Sequence, residues 1–110
     1  METLKRTTIG YKNARVELSK MKSGRYYISN GCEPLGFADT YLEAYDIYSK
    51  KVRAFRAKRT RALNKDIKFV IANWDSVDFD LVKEIFKKDY CIPEETTSWI
   101  FETRTGRKIK

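Results

Sequence analysis

The side chains that carry most protein chemistry are scarce in this chain of 110 residues. It contains no histidine, which excludes a Cys2His2 finger, a histidine metal site, a Ser–His or Cys–His nucleophile pair and an HNH nuclease centre. Its two cysteines, Cys32 and Cys91, are far apart and form no CxxC motif, so we interpret them as reduced thiols of an intracellular protein. The sequence therefore predicts a protein that is not an enzyme and has no catalytic residue, metal site or cofactor.

The acidic side chains Asp75, Asp78 and Asp80 are the remaining candidates for metal chemistry. Carboxylate oxygens are ligands that Mg²⁺ accepts in proteins. The same acids stand at the beginning of an amphipathic segment, where carboxylates stabilise the positive end of the helix dipole. We favour the helix start over the metal site.

The charged side chains are segregated along the chain, and this pattern points to a polyanionic partner. The formal net charge is +8, distributed as +5 over residues 1–30, −4 over 31–48, +8 over 49–68, −5 over 69–102 and +4 over 103–110. A basic surface attracts nucleic acid because neutralised phosphates release their counterions. Solvated basic helix faces are the ordinary alternative.

Three antiparallel strands are predicted to present the first basic block. Residues 8–19 alternate polar and apolar side chains, and residues 25–29 do so again after a turn at 22–24. Asn30-Gly31 predicts a two-residue hairpin, and a short strand at about residues 32–37 follows it. Tyr26 and Ile28 are expected on one face of the sheet, and Arg25, Tyr27 and Ser29 on the other.

A helix is predicted to cover one face of this sheet. Thr40 and Glu43 have the spacing of a capping box, which predicts a helix start. An apolar stripe follows and is expected in the core: Tyr41, Tyr45, Tyr48, Val52, Phe55 and Ala62. Lysines and arginines occupy the other faces, and of these Lys50, Lys51 and Arg53 are candidates for phosphate contact.

The last third of the chain is expected to be mostly helical. Residues 67–74 favour a helix, a second helix begins at Asp78 or Asp80 and ends before Pro93, residues 97–105 suggest a strand, and 106–110 form a basic tail. The predicted fold is α+β: a three-stranded antiparallel sheet packed on one amphipathic helix, with a mostly helical C-terminal extension. The two parts are assigned to residues 1–64 and 65–110, which can pack as one domain. The polar start and the lack of a long apolar run predict a cytoplasmic protein without membrane contact.

Residues of about 11–55 resemble the AP2/ERF-type DNA-binding domain of plant transcription factors and phage homing endonucleases. Three segments carry the resemblance: YKNAR (11–15) against Tyr-Arg-Gly-Val-Arg, GRY (24–26) against a Gly-Lys-aromatic strand start, and LGFADTYLEA (35–44) against Leu-Gly-x-Phe-Asp-Thr-x-x-Glu-Ala. Tyr48 falls on a helix tyrosine of the family. Glu17 and Cys32 stand where the family commonly has arginine, and Pro34 stands where it often has tryptophan.

The resemblance implies that the sheet enters the major groove of double-stranded DNA and reads bases from one face. By position, the implied contact residues are Lys12, Arg15, Arg25, Tyr27 and Ser29. Helix cations and the tail would then contact phosphates, and binding would depend steeply on salt. If the chain binds DNA, a nucleoid-associated location follows.

Two other functions remain open. The acidic segment 69–102, with Trp74 and Trp99 as anchors, suits a small phage-type protein that binds and inhibits or redirects a host protein. Stacking on Tyr26 and Tyr27 suits RNA. The second face of the sheet is either open to a ligand or covered by the acidic segment; the sequence leaves the oligomeric state open.

Overall fold

A computed structural model describes residues 1–109 and has the mixed α+β architecture predicted from the sequence. Its elements are β1 (Glu2–Thr8), β2 (Arg15–Lys20), β3 (Tyr26–Ser29), β4 (Pro34–Ala38), α1 (Tyr41–Ala72), α2 (Phe79–Tyr90) and α3 (Glu94–Thr105). The chain divides into two compact units, Met1–Lys58 and the part from Arg59 onward. The division falls within α1, whereas the sequence favours a boundary near residues 62–66.

The sheet has four antiparallel strands in the order β1-β2-β3-β4, so the prediction of three strands is wrong by one. The additional strand, β1, pairs with β2 from Glu2 opposite Lys20 to Thr8 opposite Arg15, with an irregularity at Leu4. Six of its seven side chains are exposed. An edge strand of this kind lacks the alternation of apolar residues that identifies a half-buried strand, and its charged side chains discourage pairing with other chains.

The segment predicted as one strand over residues 8–19 is a turn followed by a strand. Residues 9–14 connect β1 to β2, with the Ile9 amide donating to the Ala14 carbonyl at 2.9 Å. Gly10, Lys12 and Asn13 all have positive φ values, of 74°, 50° and 61°. A positive φ is incompatible with a regular strand, so alternation alone extended the prediction too far.

The two later hairpins differ in how well their turn residues predicted them. The turn at Lys22–Gly24 is confirmed: the Met21 amide donates to the Arg25 carbonyl at 2.8 Å, and Gly24 has φ +89°. The expected two-residue hairpin at Asn30-Gly31 is a longer loop, in which the Asn30 amide donates to the Glu33 carbonyl at 3.2 Å. The Asn30 side-chain oxygen accepts from the amides of Cys32 and Glu33 at 3.0 and 2.7 Å, which stabilises the longer loop.

The first half of α1 covers one face of the sheet. Thr40 caps it as predicted, its hydroxyl accepting from the Glu43 amide at 3.2 Å. Ala44, Tyr48 and Val52 enter a core of strand residues, namely Ile9, Val16, Leu18, Ile28 and Ala38. Tyr41 and Tyr45, which the apolar stripe predicts in this core, are exposed instead.

The second unit consists of the end of α1 with α2 and α3. The helix predicted at 67–74 is the continuation of α1, since the sequence from Tyr41 to Ala72 contains no glycine or proline to end it. The helix predicted to begin at Asp78 or Asp80 and to end before Pro93 is confirmed as α2. The strand suggested at residues 97–105 is wrong, because this segment belongs to the helix α3. Thr97 and Phe101 are both buried and lie four residues apart, the spacing of one helix face.

Aromatic side chains fill the core of the second unit. Phe101 is fully buried, and its ring centroid lies 5.6 Å from Phe86 and 6.2 Å from Trp74. Tyr90 is also buried; its hydroxyl donates to the Asp66 carboxylate, and its carbonyl accepts from Arg59 Nη2 at 2.9 Å. These contacts connect α1 to α2 within the unit.

Candidate nucleic-acid interface

The face of the sheet that α1 does not cover is accessible and carries arginines. Along β2, Val16 and Leu18 point into the core, so Arg15 and Glu17 point to the opposite, outer face. Arg6 of β1 lies directly opposite Glu17 in the sheet and shares this face. The arginine side chains are about half exposed.

Each arginine of the outer face is oriented by a carboxylate. Glu17 Oε1 binds Arg6 Nε at 2.9 Å and Arg15 Nε at 2.8 Å, and the Glu17 side chain is only 12% exposed. Asp39 Oδ1 binds Arg25 Nε at 2.9 Å. In all three ion pairs the contacting atom of the arginine is Nε, and the two Nη groups form the end of the guanidinium fork. Such a fork matches two acceptors in one plane, as on a guanine edge or a phosphate.

Gly31 supports the position of Arg15. A Cβ atom built on Gly31 would lie 2.5 Å from Arg15 Nη2 and 2.6 Å from its Cζ, so the guanidinium rests against the glycine backbone. Gly31 also has φ +94°, a conformation that favours glycine. The loop of residues 30–33 (the Asn30 loop) therefore contacts the Arg15 guanidinium in addition to Glu17.

An aromatic pair adjoins the arginines on the outer face. Tyr27 of β3 is paired with Phe37 of β4, and their ring centroids are 5.1 Å apart. Arg25 Cζ lies 5.8 Å from the Phe37 centroid, and Phe37 is 47% exposed. Tyr26 instead packs edge-on against Tyr41 of α1, at 5.9 Å, so Tyr26 and Tyr27 do not form one stacking platform.

Two of the predicted contact residues are not on the accessible part of this face. Lys12 is exposed at the tip of the β1–β2 turn, beyond the ends of the strands. Ser29 points to the outer face but is only 5% exposed, and its hydroxyl accepts from the Gly31 amide at 3.4 Å. Ser29 thus serves the loop that supports Arg15.

The predicted phosphate contacts on α1 lie on the other side of the sheet and point in different directions. Successive helix residues are about 100° apart, and Tyr48 faces the core. Lys50 therefore faces solvent on the far side of α1, where it pairs with Asp46 at 2.9 Å. Arg53 faces a groove beside β1, and Lys51 does not line that groove. None of the three lies on the outer face of the sheet.

Sequence reasoning missed Arg6 and Phe37. Arg6 was missed because β1 was not recognised, although Thr3, Thr7 and Thr8 are β-branched residues that favour strands. Phe37 was predicted to lie in a strand, but it was not assigned to either face of the sheet. The register that pairs Phe37 with Tyr27 places both side chains on the same face. The signal was present in both cases, in β propensity and in cross-strand pairing.

The acidic C-terminal segment is partly explained by helix caps and core packing. The Asp78 carboxylate accepts from the amides of Asp80 and Leu81 at 3.0 and 3.4 Å, so it caps α2. Trp74 is half-buried against Phe79 at 4.7 Å, so of the two proposed anchors only Trp99, 64% exposed, is a surface residue. In the basic tail, Arg107 lies over the Trp74 ring at 5.8 Å, and Lys110 falls outside the described residues.

The remaining candidate groups of the sequence are its cysteines and its clusters of acidic side chains. Cys32 and Cys91 are exposed free thiols. In residues 1–109, acidic and cysteine side chains nowhere form a group of three suited to a metal ion, and none of the helices there has the length and apolar character needed to cross a membrane. Comparison with protein-family models, curated proteins and solved structures found no match. Function must therefore be inferred from the arrangement of the residues themselves.

Proposed function

We propose that the chain is a non-enzymatic protein that binds double-stranded DNA through the outer face of its sheet. The observation that carries the proposal is the set of three arginines, Arg6, Arg15 and Arg25, each held at Nε by a carboxylate. An arginine that is already oriented loses less conformational freedom when it binds, which favours readout of base edges.

The shape and composition of the face agree with this function. A sheet face with protruding side chains can enter the major groove, which is about 12 Å wide. Phe37, beside Arg25, offers an apolar surface of the kind that contacts a thymine methyl group. The resemblance of residues 11–55 to the AP2/ERF-type domain points to the same face, although it assigned Lys12 and Ser29 in place of Arg6 and Phe37.

The test is a binding titration with charge-matched variants. A labelled random-sequence duplex and the corresponding single strand are titrated by fluorescence anisotropy at about 50 and 200 mM salt. The Arg15→Gln/Arg25→Gln variant is compared with Lys87→Gln/Lys88→Gln, which removes the same charge from exposed positions of α2. We expect salt-dependent duplex binding that only the first variant weakens. A preference for the single strand, or equal losses in the two variants, would refute the proposal.

A second candidate function is supported by an apolar groove in the second unit. The groove has a volume of about 240 Å³ and is lined by Phe69, Leu81 and Ile85, with Asp66 and Asp78 also contributing. Phe69 is 63% exposed, which is unusual for a large apolar side chain next to two others. Acidic residues beside an apolar groove complement a basic amphipathic helix, so we infer a protein partner of this type.

A synthetic amphipathic helix of leucine and lysine is the probe for this second function. We expect Phe69→Ala to weaken binding of the labelled peptide, because the side chain lines the groove, whereas Trp99→Ala leaves binding unchanged. Equal affinity of the wild type and Phe69→Ala would exclude this groove as the docking site.

A further inference from the structure

A second concentration of positive charge lies at the β1 edge, between β1 and α1. A groove of about 510 Å³ there is lined by nine described residues, of which four are cationic and none is acidic. The cations are Lys5 and Arg6 from β1 and Arg53 and Arg56 from α1. Arg6 also pairs with Glu17 of the outer face, and Lys5, Arg53 and Arg56 complete the cationic lining.

The floor of the groove is polar and positioned by the fold. The hydroxyls of Thr7 and Tyr48 are hydrogen-bonded to each other, and Tyr48 is only 6% exposed. Lys5 Nζ lies 5.1 Å from the centroid of the Tyr45 ring, so its side chain lies against α1. Tyr45 and Ser49 provide two further hydroxyls in the lining. Cations together with hydroxyl donors are the groups that bind phosphate oxygens.

We propose that this groove is a phosphate-binding site, formed by Lys5, Arg53 and Arg56 above the Thr7–Tyr48 hydroxyl pair. Its elongated lining, along a strand on one side and a helix on the other, suits successive phosphates of a phosphodiester strand. The assignment of that strand to DNA rests on the proposed function.

The outer face has too little net positive charge to bind duplex DNA strongly without additional phosphate contacts. The three arginines of that face are accompanied by two carboxylates, Glu17 and Asp39, so the face itself has little net charge. Affinity for duplex DNA rises with the number of phosphates that are neutralised. Arg6 belongs both to the outer face and to the groove, so a duplex on that face brings a flanking strand towards the β1 edge.

The chain offers a closely matched pair of variants for the test. Arg53→Gln/Arg56→Gln and Lys50→Gln/Lys51→Gln each remove two positive charges from α1, but only the first pair lines the groove. Pyrophosphate is titrated into each protein at low salt, and the amide resonances of Lys5, Thr7 and Ser49 are followed by NMR. The same variants are titrated with duplex DNA at several salt concentrations.

We expect pyrophosphate to shift these three resonances in the wild type and in Lys50→Gln/Lys51→Gln, and not in Arg53→Gln/Arg56→Gln. The slope of log affinity against log salt should become shallower by about 0.9 for each phosphate that is no longer neutralised, in the Arg53/Arg56 variant only. Absent or scattered pyrophosphate shifts, or identical behaviour of the two variants, would overturn the phosphate site. If pyrophosphate binds in the groove but duplex does not bind, the site stands and the proposed DNA function fails.

Discussion

Alanine substitution at Gly31 tests whether the Asn30 loop positions Arg15 for binding. Gly31 and Gly24 provide a matched pair, because both have left-handed backbones, at φ +94° and +89°. A Cβ at Gly24 would meet nothing within 4 Å, whereas a Cβ at Gly31 would lie 2.5–2.7 Å from the Arg15 guanidinium. The two substitutions therefore share the backbone strain and differ in the collision.

The magnitudes follow from these two terms. A non-glycine residue in a left-handed conformation costs about 1–2 kcal/mol, so both variants should lose that much stability. The Arg15 guanidinium must retreat by about 1 Å to restore ordinary van der Waals distance from a new methyl group. Because it is the mobile end of a side chain, the retreat should add little to the folding cost. It should disturb the 2.8 Å interaction of Arg15 Nε with Glu17.

The expected consequence for binding is specific to Gly31→Ala. Removing one oriented bidentate arginine interaction costs about 1–3 kcal/mol, which corresponds to a roughly 5- to 150-fold weaker complex at a preferred site. Gly24→Ala should leave the affinity within experimental error. In an Arg15→Gln background, Gly31→Ala should have no further effect on affinity.

Stability and binding need separate measurements. Unfolding in urea is followed by circular dichroism, because both tryptophans, Trp74 and Trp99, lie in the second unit and would not report on the first. Affinity is measured by anisotropy on a duplex selected from a random pool. Equal losses of affinity in Gly24→Ala and Gly31→Ala, or a loss that persists without Arg15, would refute the role assigned to the loop.

Three further predictions concern the cores and a helix cap, all measured by urea unfolding with circular dichroism. Leu18→Ala empties a fully buried position and should cost about 2–5 kcal/mol, whereas Leu42→Ala, at an 80% exposed position, should stay within about 0.5 kcal/mol. Phe101→Ala should cost about 3–5 kcal/mol and Trp99→Ala almost nothing; similar costs would mean that Phe101 is not the centre of the second core. Asp78→Ala should cost about 1 kcal/mol by removing the α2 cap, and Asp78→Ser should restore most of it; a Ser variant as weak as Ala would contradict capping.

Elements with strong local signals were predictable from the sequence. Gly24 and Thr40 specify a turn and a helix start through their own backbone and side-chain hydrogen-bonding preferences. The predicted faces of β3 were also correct, because Ile28 is buried and Tyr27 lies on the opposite face. In each case the information is contained in a few neighbouring residues.

The remaining features depend on residues that are distant in the sequence. β1 contains threonines that favour strands, but its mostly exposed side chains lack the apolar alternation that identifies a strand, and its hydrogen-bonding partners come from β2. Residues 97–105 alternate in sequence, but burial of Thr97 and Phe101 against the other helices makes one helix face the better solution. The cationic groove lies between β1 and α1. Lys5 and Arg56 could therefore not be identified as its lining before the pairing of β1 with β2 was known.

Substitution of Glu17 distinguishes two properties of the outer face, namely the orientation of its arginines and its affinity for a polyanion. Glu17→Gln removes a negative charge between Arg6 and Arg15, so non-specific duplex binding should strengthen at low salt. The same change weakens the interactions that orient both arginines, so discrimination among sequences should fall. Affinity in random-sequence duplex and enrichment from a randomised pool measure the two effects, with Glu33→Gln in the exposed loop as the charge control. If the two variants gain affinity alike and keep the same enrichment, Glu17 contributes only charge, and the arginines of the outer face do not read bases.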